Sequence, residues 1–84
     1  MSDDSSITIY GAEWCGPCHM TKHYLTEKGL KYTYRNIDED PAAGLEAITK
    51  SGERAIPVID IAGDIVVGFD RPKLDAALKA HKLV

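Results

Sequence analysis

The chain has two cysteines, Cys15 and Cys18, and they stand three residues apart in Trp14-Cys15-Gly16-Pro17-Cys18. A pair at this spacing suits exchange with a disulfide. One thiol ionises and attacks a sulfur, and the second lies close enough to resolve the mixed disulfide before the complex separates. The residues before Cys15 read as a strand and those after it as a helix start. Cys15 is therefore expected at an open helix N-terminus, where unpaired N–H groups and the positive end of the macrodipole favour a thiolate. Cys18, one turn deeper, is the expected resolving thiol. Pro17 suits a first turn because its missing N–H has no intrahelical partner there, and Gly16 leaves the approach to Cys15 clear. Trp14 offers a flat apolar surface beside the sulfur.

The rest of the chain limits what such a pair can serve. Its 84 residues, 44% of them hydrophobic, provide for one small core and no separate substrate domain. A tail over residues 1–6 and a single domain over 7–84 are expected. The net charge of −3 comes from mixed charges without a basic stripe, which argues against nucleic acid. No stretch approaches a membrane span, and Met1-Ser2-Asp3-Asp4-Ser5-Ser6 is acidic and polar, unlike an export signal. A cytoplasmic monomer is the expected form. In a reducing compartment two cysteines are catalytic or metal-binding more often than a permanent staple, and a bridge across so short a loop adds little stability.

The elements that must position the pair follow from pattern. Ile7-Thr8-Ile9-Tyr10 has the β-branched and aromatic content of a strand, ended by Gly11 and Ala12. The helix from Cys15 carries Met20, Thr21, Tyr24 and Leu25 at helical spacing to about Lys28, with Gly29-Leu30 as its cap. Lys31 to Ile37 alternates aromatic and polar residues, as a half-exposed edge strand does. Asp40 is the expected N-cap and Pro41 the first residue of a second helix, with Leu45 and Ile48 facing inward, Gly52 as its stop and a loop over 51–55. Pro57 to Ile61 and Ile65 to Val67 read as buried strands joined by Ala62-Gly63-Asp64, a hairpin in which Gly63 takes the special backbone angle. Asp70 caps a last helix, with Pro72 in its first turn and Leu74, Ala77, Leu78 and His81 on one face. The order βαβαββα predicts an α/β fold. The first two strands are parallel across a right-handed crossover, the hairpin extends the sheet antiparallel, and helices cover both faces.

With these elements placed, the chain resembles the glutaredoxin family, within the thioredoxin-like fold, from Ile7 to Leu78. The residues that carry the likeness are Tyr10, Cys15-x-x-Cys18-His19, Lys28-Gly29, Asn36-Ile37-Asp38, Ile56-Pro57, and Gly68 with Asp70. The resemblance implies that Pro57 is cis and faces the dithiol, and that the backbone of Ile56 pairs with bound substrate like an added strand. It also implies substrate contacts from Trp14, Gly16, Pro17, Gly68, Phe69 and Asp70. Five residues, at three places, depart from the family pattern. Ala12 stands where many members place a basic residue that helps hold glutathione, Gly16-Pro17 replaces Pro-Tyr, and Val67 and Arg71 interrupt the motif that grips the γ-glutamyl end. The pentapeptide itself is similar to the thioredoxin active site, and Gly68-Phe69 to glutaredoxin-like redoxins that take electrons from thioredoxin reductase.

Other chemistries use the same residues. Cys-Gly-Pro-Cys-His matches a c-type haem attachment string, but that attachment needs export and a second axial ligand. Cys15, Cys18, His19 and His23 number enough for zinc, yet the cysteines lie where a substrate must enter. An iron–sulfur cluster carrier is a third use. His19, Lys22 and His23 are expected on the helix surface, where they could raise the potential near the thiolate. Arg54 could bind an anion or be a plain loop charge, and Asp60 is expected in a structural or exposed role. The reading adopted is a dithiol thiol–disulfide oxidoreductase acting on protein or glutathione-mixed disulfides. It needs no bound cofactor or metal, and it draws electrons from a thioredoxin reductase-like enzyme or from glutathione. A glutathione-dependent glutaredoxin proper and a metal or cluster carrier are the alternatives.

Overall fold

A computed structural model describes residues 6–84. The elements are β1 (Ile7–Gly11), α1 (Gly16–Glu27), β2 (Thr33–Asn36), α2 (Pro41–Ser51), β3 (Val58–Ile61), β4 (Asp64–Val67) and α3 (Arg71–Ala80). They follow the expected order and form one four-stranded mixed sheet arranged β2-β1-β3-β4. β1 pairs parallel with β2, Ile9 opposite Tyr34 and Tyr10 opposite Arg35. It pairs antiparallel with β3, Ile9 opposite Ile59, and β3 continues antiparallel into β4.

Period-two alternation along the strands divides the apolar residues between two faces. Ile7, Ile9, Ile59, Ile61 and Val66 pack on one side against Leu25 of α1 and Leu74, Ala77 and Leu78 of α3. Burying a leucine of this kind contributes roughly 1.5–3 kcal/mol. Tyr10 and Val58 pack on the other side against Ala43 and Ala47 of α2.

Each helix begins and ends as its sequence dictates. Asp40 accepts from the N–H groups of Ala42 and Ala43, with Pro41 next in line, and Gly52 closes α2 in the left-handed conformation at φ 78°. Asp70 caps α3 by accepting from the Lys73 N–H. The cap of α1 is Cys15 itself, whose sulfur accepts from the Cys18 N–H.

The structure departs from the sequence expectations at several points. Leu45 does not face inward but is 67% exposed, and Ile48 is also exposed. The Tyr10 ring fills the space under α2, so methyl-sized Ala43 and Ala47 make the contact instead. Met20 is exposed, because Cys18, Thr21 and Leu25 form the buried stripe of α1. Gly11 does not end β1 but continues it, paired with Asn36. Ser51 is still helical, its hydroxyl donating to the Ala47 carbonyl. β4 is only partly buried, because it is an edge strand. The hairpin places both Ala62 (φ 51°) and Gly63 (φ 98°) in the left-handed region, as a two-residue turn between twisted strands requires. Of the expected tail, residues 1–5 lie outside the described residues, and the Ser6 carbonyl accepts from the Ala62 N–H.

Candidate active site

Cys15 and Cys18 are joined by a disulfide, with their Cα atoms 5.2 Å apart. The bridge sits where β1 gives way to α1. Ala12 closes a turn by accepting from the Cys15 N–H, and the Cys15 carbonyl then accepts from His19. The Cys18 N–H points at Cys15 Sγ at 3.2 Å. A helix N-terminus aimed at one sulfur stabilises negative charge there. Both cysteines are buried, Cys15 at 5% exposure and Cys18 completely, so the first keeps slightly more access than the second.

Ala12 and the two cysteines form a small apolar cluster against which Ile37 and Ile56 pack. The Ile56–Pro57 peptide bond is cis, in keeping with the resemblance, and Pro57 is buried. The Pro57 carbonyl accepts from the Gly68 N–H at 2.8 Å, tying the loop before β3 to the turn after β4. Gly68 has φ 82°. Beside the bridge, Trp14 is 71% exposed and its indole N–H donates to Asp38 at 2.7 Å. Trp14, Ile37, Gly44, Ala47, Ile48, Arg54, Ala55 and Ile56 line a mostly apolar groove of about 240 Å³.

The structure thus gathers Trp14, Cys15, Cys18 and Ile56 around one corner, with Pro57 and Gly68 linked behind it. Gly16 and Pro17 are exposed in the first turn of α1. Phe69 turns away to stack edge-on against Tyr24, ring centroids 5.7 Å apart, and packs on the α1–α3 core. Asp70 serves as the α3 cap. Among the described residues no group of three or more His, Cys, Asp or Glu side chains is arranged to hold a metal ion. His19 faces the Glu13 carbonyl and His23 pairs with Glu27. Lys22 lies over the Tyr34 ring, its Nζ 4.3 Å from the centroid. Asp60 pairs with Lys50 of α2, whose ammonium is pushed above its ordinary range by that bond.

Two site residues were missed in the sequence reading. Gly11 lies directly against the bridge: a Cβ there would stand 2.7 Å from Cys18 Sγ and 2.8 Å from Tyr34 Oη. Tyr34 places its hydroxyl, buried and without a hydrogen-bond partner among the described residues, in that same space. Burial first, then Glu13, Tyr32 and Asp38, push its ionisation above the ordinary tyrosine range. A glycine inside a strand pattern, close to the dithiol, was the available signal for such an approach.

A four-stranded mixed sheet with three helices and a dithiol bridge at the start of α1 defines a thiol–disulfide oxidoreductase of thioredoxin-like fold. The glutaredoxin family model matches residues 7–66, and the chain belongs to that family. It is 33% identical over 73 residues, 87% of this chain and 97% of the other, to an uncharacterized glutaredoxin-like 8.6 kDa protein in the rubredoxin operon of Clostridium pasteurianum. It is 38% identical over 68 residues, 81% of this chain and 82% of the other, to the glutaredoxin-like protein NrdH of Escherichia coli. The solved structure of the Escherichia coli NrdH-redoxin superposes with a TM-score of 0.73 at 31% identity, covering 83% of this chain and 91% of that one. That protein is described as having a thioredoxin-like activity profile.

Proposed function

We propose that the protein reduces disulfides of other proteins in the cytoplasm and is itself reduced by a thioredoxin reductase-like enzyme. The observation that carries this reading is the asymmetry of the bridge: Cys15 Sγ accepts from the Cys18 N–H at the helix N-terminus, and Cys18 is the more deeply buried of the two residues. In the dithiol form Cys15 attacks as a thiolate, one substrate sulfur leaves as a thiol, and a mixed disulfide forms. Cys18 then attacks Cys15 Sγ, the Cys15–substrate bond breaks, and the second substrate sulfur leaves with a proton. Two electrons have passed to the substrate, and the Cys15–Cys18 bridge is restored for the reductase to open. The backbone at Ile56 and the exposed face of Trp14 would hold the substrate backbone, which accepts many sequences because main-chain pairing carries no side-chain code.

Support for the donor comes from this chain's own side chains. Ala12 is fully buried against the cysteines and offers no charge for a glutathione carboxylate. Arg71, where the family motif would continue, lies over the Tyr24 ring. Insulin reduction coupled either to NADPH with thioredoxin reductase or to glutathione with glutathione reductase tests the reading. Faster turnover is expected from the first system. Equal or faster turnover with glutathione would return the protein to a glutathione-dependent role. Cys15→Ser should abolish turnover and Cys18→Ser should trap a covalent complex through Cys15. Full turnover by Cys15→Ser removes the mechanism altogether.

A further inference from the structure

The dithiol corner contains a buried polar atom that the exchange reaction above does not use. Tyr34 Oη is buried with no hydrogen-bond partner among the described residues, an arrangement that folded proteins avoid because the donor has given up water for nothing. Its place gives it a partner in waiting. The point 2.8 Å from Tyr34 Oη, where a Gly11 Cβ would stand, is also 2.7 Å from Cys18 Sγ. The hydroxyl and the buried sulfur therefore converge over the bare Gly11 backbone. A bridged sulfur is a weak acceptor, whereas a thiolate is a strong one, so the hydroxyl has little to gain while the disulfide is closed and much to gain once it opens.

We propose that Tyr34 donates a hydrogen bond to Cys18 Sγ when the bridge is open, and that it thereby assists the resolving step. The proposal rests on the reading in which Cys15 attacks and Cys18 resolves. In that step the Cys18 thiol loses its proton, its sulfur pair forms the bond to Cys15 Sγ, the Cys15–substrate bond breaks, and the departing thiolate takes up a proton. Tyr34 keeps its own proton throughout and acts only as a donor. Its ring is held by β2 on one side and by Lys22 of α1 over its face. The charged and titratable groups around it are that lysine, Glu13 between β1 and α1, and Tyr32 and Asp38 at the two ends of β2. Burial and the two carboxylates keep the hydroxyl protonated, which is the state a donor needs.

The test is Tyr34→Phe, which removes one oxygen and keeps the ring. Reduced protein mixed with the aromatic disulfide dithiobis(nitrobenzoate) releases one coloured thiolate when Cys15 attacks and a second when Cys18 resolves. The first release is expected at the parent rate. The second should slow about tenfold near neutral pH, the loss expected for one hydrogen bond to an ionised acceptor, and should recover as pH rises. Against a dithiothreitol redox buffer the variant should favour the disulfide more than the parent does. The disulfide form itself should unfold at the same temperature or higher, because an unpaired buried hydroxyl has been removed. An unchanged second release with an unchanged pH profile overturns the proposal, as does a disulfide form that becomes less stable, which would make the hydroxyl a structural group. Failure of the first release would instead strike the Cys15 mechanism, so the two failures are distinguishable.

Discussion

Tyr10 and Tyr34 stand on neighbouring strands, Tyr10 facing Arg35 and Tyr34 facing Ile9 across the β1–β2 ladder. One step of register puts them on opposite faces of the sheet, and their surroundings differ accordingly. On the α2 face, Tyr10 donates to Glu46 at 3.1 Å. The same Glu46 oxygen receives Arg35 at 2.6 Å, and the guanidinium also reaches Asp40 at 2.9 Å. That network ties β1, β2 and α2 together through the residue that caps α2. On the α1 face the Tyr34 hydroxyl has no partner among the described residues and lies, with Cys18 Sγ, against Gly11. A satisfied hydroxyl stabilises the fold whatever the cysteines do. An unsatisfied one beside a redox centre contributes nothing to the closed state and can stabilise only the open one.

The largest way to break this contrast is Gly11→Ala, because its Cβ would press on Cys18 Sγ and Tyr34 Oη together. Overpacking of that kind should lower stability by about 1–3 kcal/mol, measured by urea unfolding of the disulfide form, and should disturb the second thiol release as well. Next is Tyr10→Phe, which removes the donor to Glu46 and should cost about 0.5–1.5 kcal/mol. Set beside Tyr34→Phe in the disulfide form, where no loss is expected, it measures the two hydroxyls on one scale. Equal losses at the two positions would erase the distinction.

The smallest effect is a pH dependence confined to the α2 face. Arg35 holds the Glu46 and Asp40 carboxyls below the usual carboxylate range, chiefly through its hydrogen bonds to them. Groups whose ionisation is eased by folding stabilise the native state above their unfolded values, and that contribution fades as acid protonates them in the fold. The unfolding temperature should therefore fall as pH drops through and below about 4, and Arg35→Gln should flatten the slope. A slope that survives the substitution would place its origin elsewhere.

The dithiol was legible because its chemistry is local. Two cysteines, a proline in the first turn and a strand-to-helix junction all lie within a few residues, and backbone geometry alone then aims the Cys18 N–H at Cys15. The caps at Asp40 and Asp70 were legible for the same reason. Leu45 and Ile48 misled because periodicity reports which residues share a face but not how near the sheet that face comes. Once Tyr10 occupied the space under α2, only alanines fitted there. Phe69, close in sequence to the proposed substrate residues Gly68 and Asp70, took the Tyr24 side of the core instead.

By itself, then, the sequence determined the element order, the helix ends and which two sulfurs form the bridge, since each depends on residues close together along the chain. Only the tertiary structure decided what stands behind those sulfurs. Gly11 and Tyr34 come from different strands, 23 positions apart. No local rule brings them to Cys18, because that meeting depends on the parallel register of β1 and β2 and on how α1 packs across them.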